Sequence, residues 1–306
     1  MSEIFQPPAP FGRVLTAMVT PFTDDGILDL EQAQRLAEHL VDHGHDGLVI
    51  LGTTGEAPTI QQAEAARLLT AIVEAVGDRA AVVAGVGTHN TNFSIELAVQ
   101  AEKCGVHGLL VVTPYYSKPP QQGLVRHFKA VADSTELPVM LYDIPGRAGT
   151  RISDETFDRV AEHERIVAVK DAVGDLVGGS RVMHRTGLVY YSGDDALNLG
   201  WLTHGAAGLV SVVGHIAGDE HKAMVEAVGK GDLVTAQAIY RRLLPAVDAI
   251  MSAGQGAMMA KAALQLRGLL PNRTLRLPLI EADDVQVEQL RLELVAAGLL
   301  ENGSSA

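Results

Sequence analysis

Seven lysines occur in the 306-residue chain, and one of them closes an apolar run, Arg165-Ile166-Val167-Ala168-Val169-Lys170. The other six stand in polar helix or loop text such as Ala101-Glu102-Lys103 and Val228-Gly229-Lys230. An ammonium carried into a half-buried strand end loses solvation, so its pKa falls from about 10.4 toward neutrality and the free amine becomes a nucleophile. A Schiff-base lysine is prepared in this way. The competing use of such a residue is an ion pair with Asp171 or another carboxylate.

Other candidates lie at corresponding places. Tyr115 and Tyr116 end one apolar run, Tyr142 lies in the next, and Tyr190 and Tyr191 lie in a later one, leaving Tyr240 alone outside. Phenols at strand ends can pass protons or hold carboxylates, although Tyr190 and Tyr191 read better as amphipathic lining of a wet mouth. Gly52-Thr53-Thr54-Gly55-Glu56 sets two hydroxyls before a glycine, a turn whose N–H groups can hold a carboxylate. No P-loop lysine follows it, which disfavours a phosphate. Tyr142-Asp143-Ile144-Pro145-Gly146-Arg147 shapes a loop that projects Arg147, whose fork can take a carboxylate at two points.

These residues need a scaffold that brings strand ends together. Eight β-rich runs alternate with amphipathic helical text: 14–22, 47–52, 81–87, 108–116, 138–145, 166–172, 188–195 and 208–214. Near-continuous apolar strands between helices mean a parallel sheet covered on both faces. Eight such units predict an α/β fold, the (β/α)8 TIM barrel, whose active face is the C-terminal ends of its strands. Thr59-Ile60-Gln61-Gln62 reads as a capping box opening the second helix. Beyond about Gly231 only helical text remains, in 234–253, 255–267 and 284–297, with 271–278 as a linker. The organisation expected is a catalytic barrel over 1–229 and a helical C-terminal extension over 230–306. A dinucleotide fold has only Gly85-Val86-Gly87 in its favour, with Asn90 in place of the third glycine.

Composition limits the partners. A formal net charge of −13 leaves no basic face for nucleic acid or an anionic membrane, so an anionic ligand must be held locally. The N-terminus lacks a basic and an apolar leader region and no run approaches a membrane span, which points to the cytoplasm. Cys104, the single cysteine, excludes an internal disulfide and reads as a core filler. His39, His43 and His45 are closely spaced but fall at the end of the first helix, away from the active face, and read as solvated rather than as metal ligands.

Five segments, in order and each on its expected strand, resemble the dihydrodipicolinate synthase and N-acetylneuraminate lyase family: Gly52-Thr53-Thr54-Gly55-Glu56, Val112-Thr113-Pro114-Tyr115-Tyr116, Leu141 to Arg147, Val169-Lys170-Asp171-Ala172 and Ser192-Gly193-Asp194-Asp195. The resemblance covers essentially the whole chain. It implies that Lys170 forms a Schiff base with pyruvate and that Tyr142, Thr53 and Tyr116 relay protons, Tyr116 reaching into a neighbouring subunit. It also implies that Thr54 binds the pyruvate carboxylate, that Gly193 and Val210 line the pocket, and that no metal or organic cofactor takes part. Arg147 points to the branch that condenses pyruvate with L-aspartate 4-semialdehyde toward diaminopimelate and lysine, in a homotetramer built from tight dimers. Another pyruvate-dependent aldolase, acting on a sugar acid or hydroxy-oxoglutarate, would keep Lys170 and Tyr142 without needing Arg147. A silent barrel would be expected to lose the lysine or the relay.

One departure concerns regulation. Members inhibited by lysine bind it beside the strand-four tyrosines, where this chain has Ala57, Pro58, Gln62, Ala65, His89 and Phe93. Phe93 stands where an acid would meet the ligand's ammonium, so weak or absent lysine inhibition is expected.

Overall fold

The computed structural model describes residues 7–301. Eight parallel strands, each hydrogen-bonded to the next and β8 to β1, close a barrel: β1 Val14–Ala17, β2 Gly47–Ile50, β3 Ala81–Gly85, β4 Gly108–Val112, β5 Val139–Asp143, β6 Ile166–Asp171, β7 Val189–Ser192 and β8 Gly208–Ser211. Around it run α1 Leu30–Asp42, α2 Gln62–Val76, α3 Thr91–Lys103, α4 Gln121–Ala132, the single turn α5 Pro145–Ala148, α6 Asp154–Val160, α7 Leu176–Thr186, α8 Asn198–Thr203 and α9 Gly214–Gly229. The chain continues as α10 Leu233–Met251, α11 Gly256–Leu266 and α12 Asp284–Ala296. Among the described residues no helix is long and apolar enough to cross a membrane.

The strands are apolar throughout because both faces are buried. Leu15, Val49, Val83, Leu110, Met140, Ala168, Tyr191 and Val210 point inward and fill the barrel. Their alternate neighbours Leu48, Val82, Leu109, Val139, Val169 and Tyr190 point outward under the helices. The far end of the barrel is closed by Phe11, fully buried, whose N–H donates to the Tyr191 hydroxyl at 3.4 Å while that hydroxyl donates to Gly12 O at 3.0 Å. Gly108 leaves room for the plug, since a Cβ there would lie 2.3 Å from the Phe11 ring.

The strands stop short of the expected ends. β1 ends at Ala17 rather than Phe22, and β4 at Val112, so Tyr115 and Tyr116 stand on a loop. The text beyond remains apolar because Met18, Val19 and Phe22 are buried as loop residues in the core shared with the helices. The capping box also lies elsewhere: Gln61 caps α2 and exchanges hydrogen bonds with Glu64, while Thr59 ends a short 3-10 turn. The three C-terminal helices fall within two residues of their expected bounds.

Phe11→Ala opens a cavity at the end of the barrel opposite the active face, so it should cost about 3 to 5 kcal/mol. Urea unfolding should show the loss while turnover per folded molecule stays unchanged; an unaltered midpoint would show that the plug carries no stability.

Candidate active site

Lys170, in β6, is 5% exposed and in register with Tyr142 on β5 and Tyr191 on β7. Its Nζ lies 4.2 Å from the centre of the Tyr142 ring. Burial brings the amine down from 10.5 to about 8; the Asp195 charge opposes this and the Arg147 charge adds to it. Far more of the amine is therefore free at neutral pH than for a solvated lysine. Asp171 is engaged elsewhere, one carboxylate oxygen accepting from Val173 N and Gly174 N at 3.0 Å each.

Tyr142 is its closest functional neighbour. Burial pushes the phenol up to about 12, while the Arg147 charge and the nearby Thr53 hydroxyl act in the opposite direction. A neutral phenol can shuttle protons only by taking one as it gives another, so it needs a second hydroxyl beside it. Thr53 supplies it. Thr53 and Thr54 sit on the turn after β2, bounded by Leu51 and Glu56, whose φ values of 60° and 57° lie in the left-handed region. Residues with a Cβ adopt that conformation only when the surroundings impose it.

Gly193 follows β7 and touches the lysine stem: a Cβ there would stand 2.9 Å from Lys170 Cγ and 2.8 Å from Asp171 O. Val210 lies in the same interior cluster as Tyr142. Arg147 is exposed at the mouth on α5, a turn ended by Gly149 at φ 77°. Its charge reaches both Lys170 and Tyr142.

Tyr116 is not brought into this group. It is 93% exposed, with φ 74°, and turns away on the loop after β4, while Tyr115 packs edge-on against His89 at 5.3 Å. Tyr190 and Tyr191 do not line a wet mouth. Tyr190 lies outside the barrel against Trp201, and Tyr191 belongs to the plug at the far end. His45 is buried rather than solvated, its ring joining Thr16 Oγ1 at 2.6 Å and Leu40 O at 2.7 Å. His39 and His43 stack on each other at 4.0 Å. Among the described residues no group of three His, Cys, Asp or Glu side chains is placed to hold a metal ion.

Three features escaped the sequence reading. Asp195 is a buried hub that accepts from Ser211 Oγ, Asn198 Nδ2, Val212 N and Val213 N, tying the loop after β7 to the end of β8. Asp143, raised to about 7 by burial, accepts from Ile152 N at 3.2 Å and so closes the loop that carries Arg147. Lys261 is 1% exposed, not a polar-text lysine, and bonds to Glu56 at 2.6 Å. Its apolar surroundings, Met258-Met259-Ala260 and Ala262-Ala263, were the available signal.

The sequence profile of the Dihydrodipicolinate synthetase family matches residues 10–297. A 4-hydroxy-tetrahydrodipicolinate synthase from Kineococcus radiotolerans is 61% identical over 294 residues, 96% of each chain. The crystal structure of DHDPS from Cyanidioschyzon merolae with lysine bound superposes with a TM-score of 0.92 at 40% identity, over 96% of this chain and 100% of that one. Dihydrodipicolinate synthase from Acinetobacter baumannii complexed with pyruvate gives 0.91 at 33% identity, over 95% and 100%.

Because the Lys170 amine is held near 8, its reactivity should climb with pH and level off above that value. Competitive acetylation, read residue by residue by mass spectrometry, should give Lys170 a midpoint near 8; a midpoint at the ordinary 10.5 would make it a common surface-like cation.

Proposed function

The chain belongs to the Dihydrodipicolinate synthetase family, and on that premise we propose how its own residues divide the work. The activity is that of 4-hydroxy-tetrahydrodipicolinate synthase, a lyase of lysine biosynthesis that condenses pyruvate with L-aspartate 4-semialdehyde. The reading of the site rests above all on one observation: a desolvated amine, Lys170, stands 4.2 Å from the ring of a buried neutral phenol, Tyr142.

The free Lys170 amine attacks the keto carbon of pyruvate and water leaves, giving an iminium. Loss of a methyl proton sends its electron pair toward nitrogen and forms the enamine. Tyr142 hands protons in and out through Thr53, and Tyr116 completes the relay from a neighbouring chain. Thr54 holds the pyruvate carboxylate by its hydroxyl and N–H, in a pocket lined by Gly193 and Val210. The enamine carbon then attacks the aldehyde carbon of the semialdehyde, whose oxygen takes a proton. The substrate amine finally attacks the imine carbon, and Lys170 leaves as the six-membered ring closes. Arg147, exposed at the mouth, clamps the semialdehyde's carboxylate as it arrives.

Tyr116 carries the proposal on assembly. An exposed aromatic held in a left-handed backbone contributes nothing to its own chain's core, and it fits a contact between copies. We read the working particle as a cytoplasmic homotetramer of tight dimers, each chain comprising a barrel over 1–229 and the extension over 230–306.

Turnover coupled to the downstream reductase and followed by NADPH absorbance tests the assignment. Lys170→Ala should abolish it, and Tyr142→Phe should slow it by about 10² to 10⁴, the usual worth of positioned proton transfer. Arg147→Ala should raise KM for the aldehyde far more than KM for pyruvate. Wild-type rates in either of the first two variants, or equal KM changes in the third, would remove that residue from its role.

Lysine inhibition should be weak or absent. Phe93 on α3 presents a half-exposed ring where an acid is needed, and Ala57 and Pro58 offer no side-chain acceptor. Half-inhibition by submillimolar lysine in the same assay would overturn this.

A further inference from the structure

The turn that carries Thr53 and Thr54 is not held by the barrel alone. Within it, Glu56 N donates to Thr53 O at 3.2 Å and Thr20 Oγ1 donates to Gly55 O at 2.7 Å. The turn ends at Glu56, whose side chain is 0% exposed. One carboxylate oxygen accepts from Lys261 Nζ at 2.6 Å and the other from Arg276 N at 3.0 Å. Both partners come from the C-terminal extension, Lys261 from α11 and Arg276 from the segment between α11 and α12.

Each partner is fixed in turn. Lys261 Nζ also donates to Thr274 O at 2.7 Å, and its charge lies 4.3 Å from the centre of the Phe22 ring. Arg276 approaches the same ring at 4.5 Å. Its guanidinium takes Glu64 with two bonds of 2.8 and 2.7 Å and reaches Thr59 O at 3.0 Å and Gly26 O at 2.9 Å. The clasp therefore ties the turn after β2, the start of α2 and the loop after β1 to one piece of the extension.

A buried ion pair is a poor source of stability, because removing two charges from water offsets most of their attraction, and a well-packed apolar pair often does as well. Its distinctive property is directional. A carboxylate with both oxygens occupied admits one backbone path, and this path crosses a left-handed residue that has no intrinsic preference for it. We infer that Lys261 and Glu56 are positioning residues for the reaction: their pair sets the turn so that the Thr53 hydroxyl meets the Tyr142 phenol and Thr54 faces Lys170. The extension thus forms part of the catalytic apparatus through a contact that touches no substrate. This rests on the roles proposed above for Thr53 and Thr54.

The test is steady-state kinetics of the full chain carrying Lys261→Met, which keeps an unbranched stem and removes the charge. The expected result is a kcat lower by about 10- to 100-fold, the cost of a misplacement of order 1 Å. KM for pyruvate should rise severalfold and KM for the aldehyde should stay unchanged, since Arg147 stands on a different loop. Far-UV circular dichroism and borohydride trapping of pyruvate on Lys170 should both persist. Wild-type kcat, or equal rises in both KM values, would overturn the inference, the latter showing general loosening. Should Lys261→Met fail to fold, Glu56→Gln has the same shape and carries the same expected split between the KM values. Thr53→Val, measured alongside, separates the two ideas. Wild-type turnover by Thr53→Val would remove the relay and this inference with it. A slow Thr53→Val beside a wild-type Lys261→Met would sink this inference alone.

Discussion

Desolvation of one amine is the constraint around which this molecule is arranged. Holding Lys170 at about 8 instead of 10.5 costs the folded chain roughly 3 kcal/mol of protonation free energy at pH values below 8, a penalty that fades as pH climbs toward 10.5. Few places in a protein can sustain it. The barrel does so because β5, β6 and β7 enclose the side chain, because Tyr142 presents the face of its ring, and because Gly193 has no Cβ to push the stem aside. Asp195 keeps the penalty from growing. Its charge pulls the amine back toward protonation from a distance, while its own oxygens are taken up by the end of β8, so it makes no salt bridge with Lys170.

The second buried lysine shows what the first would be with a partner. Lys261 is as inaccessible as Lys170, and burial lowers it too, but the Glu56 carboxylate at 2.6 Å opposes that fall and holds it as an ion pair. Two lysines in similarly dry surroundings thus differ in whether a carboxylate lies within bonding distance. The difference is one of layout. Lys170 faces the barrel interior of aliphatic side chains and tyrosines, whereas Lys261 faces a loop that ends in an acid.

The sequence disclosed the barrel and the helical extension because those features repeat locally. Strand and helix periods alternate eight times, and Lys170, Tyr142 and Arg147 occupy recognisable ends of runs. What it concealed depends on contacts between distant segments. Nothing near Tyr190 and Tyr191 tells which one points out to Trp201 and which one joins Phe11, because that is decided by the barrel's closure some 180 residues away. The burial of His45 depends on Thr16, and that of Lys261 on Glu56, 205 residues apart. The strand ends fall short for a related reason: residues such as Met18, Val19 and Phe22 are apolar because they pack into the core beneath the helices, and hydrophobicity alone does not separate a strand from a buried loop.

Tyr116 follows from the same reasoning about strain. The loop after β4 contains two non-glycine residues with left-handed backbone, Tyr116 at φ 74° and Lys118 at φ 47°, and it directs the Tyr116 phenol into solvent. Strain of this kind persists only where something outside the segment is gained by it. Among the described residues Tyr116 adds nothing to the chain's own core, being 93% exposed. A loop that presents a phenol to solvent against its own backbone preference offers that phenol to whatever packs on it. In the assembly proposed above, that surface is the contact between copies, and the left-handed backbone at Tyr116 belongs to it.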